Sequence, residues 1–257
     1  MLHALATESS EFDVLSHLDE AVDAGFSFAF QPILSLETSR IVAHEALVRG
    51  LGGESSASVI AAIRPENRVS FDQACRIRAL AVAAQVGVNG DIHLNCSQIS
   101  SGNLEQSLRT TRDAALKAGI HPRRVVLEFG NLELLGDPRS LDRARHRAHE
   151  MGMRVLADNI GISEVGLKRL AVFRPDQAKL DRSIVRGINS SPRRQAIVLG
   201  ILATCRALGI KVIAGGVELS PERDWLAAAG VTRAQGYLFA RPAFEWALER
   251  PPARLTA

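Results

Sequence analysis

Short apolar segments alternate with longer amphipathic segments along almost the whole chain. The apolar segments are rich in Val, Ile and Leu and predict eight strands, at 28–36, 40–49, 92–97, 124–130, 154–159, 177–181, 211–217 and 234–239. The amphipathic segments between them predict helices, several of which end just before a glycine, a common helix terminator. Buried strands alternating with helices indicate an α/β fold, a (β/α)8 barrel of TIM type.

The first two predicted strands are joined by residues 37–39 only. No crossover helix fits in that length, so the first strand must run antiparallel to the second, and the barrel is a modified one. We predict a single domain over residues 1–257, with its core at about 26–246. A helix over 11–25 precedes the first strand, and a loosely ordered tail covers 251–257.

Charge and composition narrow the class of protein. The formal net charge is +3, and the basic residues are scattered along predicted helices without interleaved aromatic residues. We therefore expect no nucleic-acid polymer as a partner. Three cysteines in no paired spacing suit a reducing compartment. With no signal peptide and no apolar segment long enough to span a bilayer, we expect a cytoplasmic protein without membrane contact.

Polar side chains interrupt the apolar strands near their carboxyl ends. A barrel brings these ends together on one face, where active sites form. A single acid in a strand is more often a paired structural residue than a ligand. Several on successive strands favour a binding site, because unpaired buried carboxylates are costly. Oxygen ligands suit Mg²⁺, Mn²⁺ or Ca²⁺. The residues concerned are Glu45, Asn95, Glu128, Asp158, Lys179 and Gln235, of which Lys179 either neutralises an acid or faces a phosphate.

The second strand adds an arginine to this site. Strand parity places Glu45, Leu47 and Arg49 on one face. An arginine beside a cation site suggests phosphate recognition. The structural alternative is that Arg49 pairs with Asp72 or Glu54.

Eight segments, in order and at similar spacing, resemble the motifs of the EAL family of cyclic-di-GMP phosphodiesterases. They are FQPI (30–33), EALVR (45–49), LNCS (94–97), LEFGN (127–131), ADNIG (157–161), KLDRSIVRGI (179–188), GGVE (215–218) and QGYLFARP (235–242). The segments VRGLGGES and NRVSFDQACR are similar to a sub-branch often linked to blue-light (flavin) sensor domains.

The resemblance implies a site in which two divalent cations activate a water that cleaves cyclic-di-GMP to the linear dinucleotide. It assigns the ligands of one cation, Mg²⁺ or Mn²⁺, to Glu45, Asn95, Glu128 and Asp158. It assigns Lys179 to the attacking water and the phosphate. It assigns nucleotide contacts to Gln31, Leu47, Arg49, Glu218 and Gln235.

Three positions depart from the family pattern. Asn159 replaces an aspartate that binds the second cation, and Gly215 replaces a glutamate that binds metal and is a candidate base. Asn131 replaces a glutamate that braces the loop after the fifth strand, and that loop, which serves family dimers, is rewritten. The remaining carboxylates balance one divalent ion, so the second cation site is predicted to be lost, and Lys179 keeps at most a residual catalytic role.

The sequence therefore favours a non-catalytic EAL domain that acts as a cyclic-di-GMP receptor or a protein-interaction module. A weakly active phosphodiesterase and a scaffold that binds only a partner protein are the alternatives. We expect a protein partner, and a monomer or a dimer of altered geometry.

Overall fold

A computed structural model describes residues 25–100, 102–130, 138–161 and 170–244, with the side chain of residue 138 left out. The predicted helix over 11–25, the tail, Asn131 and most of the loop after the fifth strand lie outside these residues. The described residues form a closed barrel of strands surrounded by helices, so the predicted fold class is confirmed.

Eight strands close the barrel, and a short ninth pairs beside the first. Their bounds are β1 Phe26–Ser35, β2 Ile41–Gly50, β3 Asp91–Asn95, β4 Val125–Phe129, β5 Arg154–Ile160, β6 Gln177–Leu180, β7 Lys211–Ala214, β8 Arg233–Ala234 and β9 Ala243–Phe244. Strands β2 to β8 pair in parallel, in sequence order. Strand β1 runs antiparallel to both β2 and β8 and closes the ring, as the short connection at 37–39 predicts.

The last predicted strand is much shorter than its apolar pattern indicates. Only Arg233 and Ala234 pair as β8, and the chain then turns at Gly236. A Cβ on Gly236 would lie 2.0 Å from the carbonyl oxygen of Val217, so the turn packs too tightly against the loop after β7 for another residue. Pairing with β1 resumes at β9.

Helices follow most of the parallel strands and cover the outside of the barrel. They are α1 Ser56–Ala62, α2 Arg68–Gln85, α3 Leu104–Lys117, α4 Pro138–Glu150, α5 Arg182–Val185, α6 Pro192–Ala207 and α7 Ser220–Ala228. At helix α7, Leu219 is the N-cap residue, and Glu222 accepts a hydrogen bond from its backbone N–H.

The hydrophobic core has two parts. The larger lies between the strands and the helices and includes Phe26, Leu80, Leu108 and Phe173. The smaller fills the inside of the barrel with Ile33, Ala43, Val126, Leu156 and Ile213, all fully buried. In the part of the chain described here, no helix is long and apolar enough to cross a membrane.

Candidate functional site

The side-chain alternation of the strands places a polar layer directly above the apolar floor of the barrel. Each floor residue is followed two positions later by a residue on the same inward face. This relation joins Ala43 to Glu45, Val126 to Glu128, Leu156 to Asp158 and Ile213 to Gly215. In antiparallel β1 the order reverses, so Ile33 lies in the floor and Gln31 in the polar layer.

The amino group of Lys179 is the centre of the polar layer. It donates to Glu128 Oε2 at 2.6 Å and to Glu45 Oε2 at 3.0 Å. It also lies 3.8 Å from Asp158 Oδ1. The structure thus brings together three of the four predicted cation ligands around the predicted catalytic lysine. Of the two roles open to Lys179, the side chain takes that of neutralising acids.

Amide groups complete the surroundings of Glu45. Gln235 donates to Glu45 Oε2 at 2.7 Å, and Asn95 donates to Glu45 Oε1 at 3.3 Å. Gln235 Nε2 also lies within hydrogen-bond reach of Gln31 Oε1, and Gln31 donates to the carbonyl of Ala240. The predicted residues on β1, β2, β3 and β8 therefore form one continuous hydrogen-bonded network.

The surroundings of the three acids in this network give them different pKa values. Burial would raise the pKa of Glu45, but Lys179, Gln235 and Asn95 outweigh it and lower that pKa to about 2. Burial, followed by the charge of Glu45, raises the pKa of Glu128 to about 8. Burial raises the pKa of Asp158 to about 6. For Lys179 the cost of burial is outweighed by Glu128, Glu45 and Asp158, which raise its pKa.

His93 belongs to this site although the sequence analysis did not identify it. Its Nδ1 lies 2.7 Å from Glu128 Oε1, and its ring is fully buried. Burial, followed by the charge of Lys179, lowers the pKa of His93 to about 3, so the ring is neutral where its Nδ1 meets the carboxyl group of Glu128. This contact fixes the carboxylate from below. Strand parity was the available signal, because His93 is two residues before Asn95 on β3.

A cavity of about 260 Å³ opens above the network, at the carboxyl ends of the strands. Glu218 lines it and pairs with Arg182 at 2.6 Å. Tyr237 also lines it; this residue is 48% exposed, and the Arg241 guanidinium lies 4.4 Å from its ring centre. The cavity therefore offers an exposed aromatic face and cationic groups beside a layer of amides and carboxylates.

Glu222 holds the segment that carries Glu218. Its side chain, 1% exposed, accepts backbone hydrogen bonds from Gly187 at 2.7 Å and from Glu218 and Leu219 at 3.0 Å each. These three bonds lower its pKa against the opposing effect of burial. They connect the loop after β7 to the turn after α5.

Arg49 lies at the carboxyl end of β2 and is not among the residues that line the 260 Å³ cavity. Its guanidinium donates to the carbonyl of Val48 at 2.8 Å and to the hydroxyl of Ser56 at 2.5 Å. Within the described residues it makes no ion pair with Asp72 or Glu54. Leu47 lines a second cavity, of about 190 Å³, between β2, α1 and α2. Its part in binding nucleotide stays a prediction, as does that of Arg49.

The two positions predicted to have lost the second cation differ in the space around them. Asn159 is exposed, and its φ of 57° suits aspartate as well as asparagine. Gly215 is enclosed: a Cβ there would lie 2.8 Å from the Leu180 carbonyl oxygen and 3.4 Å from Lys179 Cγ. A side chain at position 215 would therefore push against both the backbone of β6 and the lysine.

We expect Gly215→Ala to destabilise the fold by about 1–3 kcal/mol through overpacking. Asn159→Asp should change stability by no more than about 0.5 kcal/mol, because its side chain is exposed. Urea unfolding followed by circular dichroism measures both. The matched control is Gly200→Ala, on the open face of α6 with no atom near its Cβ, which should be neutral or stabilising. Equal stability of Gly215→Ala and Gly200→Ala would contradict the close packing at Gly215.

The donor chemistry of the site suits a hard cation, but the geometry holds an ammonium group. Glu45, Glu128, Asp158 and Asn95 offer oxygen atoms only, as Mg²⁺ and Mn²⁺ prefer. Across the residues described by the structure, however, no three acidic, histidine or cysteine side chains are arranged to share a metal ion. The carboxylates converge on Lys179 instead.

The comparisons with known proteins define the class. The family model of the EAL domain matches residues 16–242, and the chain belongs to this family. Among curated relatives, the blue light- and temperature-regulated antirepressor BluF of Escherichia coli is 30% identical over 83% of this chain and 53% of its own length. The cyclic di-GMP phosphodiesterase RocR of Pseudomonas aeruginosa is 28% identical over 91% of this chain and 62% of its own.

Solved structures agree in fold and show ligands. A standalone EAL protein of Vibrio cholerae, in its cyclic-di-GMP-bound form, is 37% identical with a TM-score of 0.81, covering 87% of this chain and 94% of that one. BlrP1 of Klebsiella pneumoniae with manganese and cyclic-di-GMP is 32% identical with a TM-score of 0.79, covering 86% and 56%. BlrP1 with FMN and cyclic-di-GMP but no metal ions has a TM-score of 0.71 at 30% identity, covering 86% and 54%.

These comparisons confirm the resemblance drawn from the eight motifs, including the similarity to a blue-light-regulated relative. This chain spans about half to three-fifths of the length of the two curated relatives. Relatives of the family bind cyclic-di-GMP, and BlrP1 does so both with divalent metal and without it.

Proposed function

We propose that this chain binds cyclic-di-GMP without hydrolysing it and acts as a receptor or regulatory interaction module. One observation carries the proposal: the Lys179 amino group fills the carboxylate cluster, while Gly215 has neither a side chain nor space for one. The groups that a second cation needs are replaced, whereas the groups at the cavity mouth remain.

The charge of the site disfavours turnover. A two-metal hydrolysis requires both ions, which stabilise the attacking and leaving oxygens. The second ion would depend on Asp158, the neutral amide of Asn159 and no group at Gly215. Asp158 already lies beside the Lys179 ammonium group. The negative charge of this site is therefore too small to balance two divalent ions.

The groups around the cavity favour nucleotide binding. Cyclic-di-GMP offers two phosphates and two guanine bases. Arg182 lines the cavity and Arg241 lies over the ring of Tyr237, so both can supply cationic donors for phosphate oxygens, and we assign Arg49, at the carboxyl end of β2, as a third donor. The exposed ring of Tyr237 supplies a stacking face for a base. The BlrP1 complex without metal ions supports the proposal that an EAL site of this kind holds the nucleotide without a cation.

A protein partner would transmit the bound state, since a receptor without turnover needs a readout. That BluF is named an antirepressor supports such a role for an EAL domain in a relative. We keep the expectation of a monomer or a dimer of altered geometry, and of at most one divalent cation.

Calorimetric titration with cyclic-di-GMP, in EDTA and in Mg²⁺, tests the proposal. We expect saturable binding in both conditions. An absence of heat and of thermal stabilisation in both would leave only the scaffold function, in which the chain binds a protein and no nucleotide.

Arg49→Ala is expected to weaken nucleotide binding by about 10- to 150-fold, the equivalent of roughly 1.5–3 kcal/mol for a lost charge-assisted phosphate contact. The same titration measures it. Arg109→Ala is the matched control, because Arg109 pairs with Glu105 on the exposed face of α3, away from the mouth. Equal affinities of the two variants for cyclic-di-GMP would show that Arg49 does not contact the nucleotide.

A weakly active phosphodiesterase is the second candidate. The observation in its favour is that Glu45, Asn95, Glu128, Asp158 and Lys179 all survive in one network. Turnover of cyclic-di-GMP in the presence of Mn²⁺ separates this function from that of a receptor.

A further inference from the structure

Three polar side chains interrupt the apolar floor of the barrel. On a parallel strand, the residue two positions before a member of the polar layer faces inward one level lower. This relation places His93 of β3, Gln177 of β6 and Arg233 of β8 in the floor. Together with the five apolar floor residues they form one ring of eight side chains, one from each strand: Ile33, Ala43, His93, Val126, Leu156, Gln177, Ile213 and Arg233.

Each of the three polar side chains carries a buried atom that has no hydrogen-bond partner among the described residues. The atoms are Nε2 of His93, Oε1 of Gln177 and Nη1 of Arg233. His93 is 0% exposed and Gln177 is 1% exposed. Nη1 of Arg233 lies 4.0 Å from the nearer carboxylate oxygen of Asp91, too far for a hydrogen bond. Buried polar atoms are nearly always bonded to protein or to ordered water, so three of them in one ring indicate a shared partner.

The shared partner must both donate and accept hydrogen bonds. Nη1 of Arg233 can only donate, and Oε1 of Gln177 can only accept. Nε2 of His93 does one or the other according to the tautomer of a ring whose Nδ1 meets Glu128. A metal cation would be repelled by the guanidinium group, and an anion would meet the oxygens of Gln177 and Asp91. A water molecule can satisfy all three atoms.

Ala43 supplies space for a small molecule in the ring. A site for internal water needs room as well as polar partners. Ala43 has the smallest side chain of the eight, and its neighbouring strands place Ile33 on one side and His93 on the other. Its single methyl group reaches less far toward the barrel axis than the branched side chains of the ring.

We infer that the barrel floor holds an ordered internal water bonded to His93 Nε2, Gln177 Oε1 and Arg233 Nη1, and that this water fixes the imidazole of His93. Glu128 then holds the ring at Nδ1 and the water holds it at Nε2. Gln177 and Arg233 act through the water and the imidazole as positioning residues for Glu128. The water site goes beyond the proposed function and is independent of whether cyclic-di-GMP binds.

A crystal structure of the wild-type protein tests the water site directly. We expect ordered water within hydrogen-bond distance of at least two of the three atoms. Direct bonds among His93, Gln177 and Arg233, or no ordered density between them, would overturn the inference. Crystals grown in bromide separate water from an anion, because bromide gives an anomalous signal. Such a signal in the ring would assign an anion and would also overturn the inference.

Gln177→Met tests the same water in solution, because methionine removes the oxygen and keeps most of the volume. Magnetic relaxation dispersion of water ¹⁷O counts the water molecules that reside for a long time inside a protein. The variant should lose one long-lived water relative to wild type. Gln106→Met is the matched control: Gln106 is exposed on α3, and its replacement should lose none.

Thermal unfolding distinguishes a hydrated ring from a dry one by the sign of the change. If Oε1 of Gln177 had no partner, Gln177→Met would remove the cost of burying that oxygen, and the melting temperature would rise. If the oxygen is bonded to water, the variant loses that bond and leaves the water and Arg233 with fewer partners. We therefore expect Gln177→Met to melt below wild type. A melting temperature equal to that of wild type or above it would contradict the water site.

NMR of the imidazole ¹⁵N nuclei reports the positioning of His93 itself. The chain has seven histidines, and His93→Gln identifies the signals of His93 by their loss. Wild type should show His93 as a single neutral tautomer with both ring nitrogens hydrogen-bonded. Gln177→Met should shift the Nε2 signal, and Gln106→Met should leave it in place. Unchanged His93 signals in folded Gln177→Met would show that Gln177 is not a positioning residue.

Wild type alone decides the matter if Gln177→Met does not fold. A mixture of His93 tautomers in wild type, or a crystal structure with a dry ring, would then overturn the inference. None of these measurements involves nucleotide. Failure of the proposed function would appear instead as absent cyclic-di-GMP binding in the calorimeter, so the two failures are distinguishable.

Discussion

Wild-type protein incubated with cyclic-di-GMP and Mn²⁺ is expected to leave the nucleotide uncut. The family resemblance implies a glutamate, a candidate base, at the position of Gly215, and loss of a positioned base alone lowers a rate by about 10²–10⁴. The same resemblance implies that Asn159 replaces a ligand of the second cation as well. Because attacking and leaving oxygens need both ions, the combined loss should exceed that range.

Chromatographic separation of the cyclic and linear dinucleotides measures this turnover. RocR, incubated in parallel at the same Mn²⁺ concentration, is the positive control. Turnover by this chain within about tenfold of that of RocR would contradict the receptor function and establish the second candidate, an active phosphodiesterase, in its place.

The barrel could be predicted from the sequence because two local rules determine it. Alternating strand and helix segments specify the parallel part, and the short connection at 37–39 forces β1 to run antiparallel. Strand length at the end of the chain could not be predicted in the same way. The apolar pattern over 234–239 continues past β8, but the close contact of Gly236 with Val217 turns the chain out of the sheet.

The candidate site could be predicted as a set of residues but not as a set of contacts. Parity places Glu45, Glu128, Asp158 and Lys179 on one inward face, and the structure brings them together. The direction in which a long lysine side chain turns depends on the space that its neighbours leave. The sequence shows only that a carboxylate is missing at position 215. The structure shows in addition that the Lys179 side chain packs against Gly215, in the space that a larger residue would fill.

Side-chain contacts between residues on different elements could not be predicted from the sequence either. Arg182 pairs with Glu218 across two loops whose spacing in the chain carries no signal of contact. The pairing of Arg49 with Asp72 or Glu54, the structural alternative drawn from the sequence, is wrong. The carboxylate of Asp72 is already taken by an arginine one helical turn further along α2.

That arginine, Arg76, is expected to contribute strongly to the stability of the fold. Arg76→Met is expected to destabilise the fold by about 3–5 kcal/mol, the usual result when one partner of a buried ion pair is removed. Arg76 is 2% exposed and bonds to the carboxylate of Asp72. It also donates to Ser107 at 2.6 Å and to Thr111 at 3.0 Å. Methionine fills the volume but leaves the Asp72 charge unpaired.

Urea unfolding measures the loss, and the chain supplies a matched control. Arg109 pairs with Glu105 at the same i, i+4 spacing on α3, but both side chains are about half exposed. Arg109→Met should therefore cost no more than about 0.5 kcal/mol. In the double variant Asp72→Asn/Arg76→Met, the total loss should be smaller than the sum of the single losses, because no buried charge is left alone.

The same pair connects fold stability to the site. Asp72 accepts a hydrogen bond from the backbone N–H of Ser97 at 3.0 Å, and Arg76 lies 3.5 Å from the carbonyl of Asn95. Both contacts lie at the end of β3, where the Asn95 side chain reaches Glu45. Arg76→Met should therefore also weaken cyclic-di-GMP binding under conditions where the variant remains folded. Arg76→Met as stable as Arg109→Met would show that the buried pair does not hold this strand end.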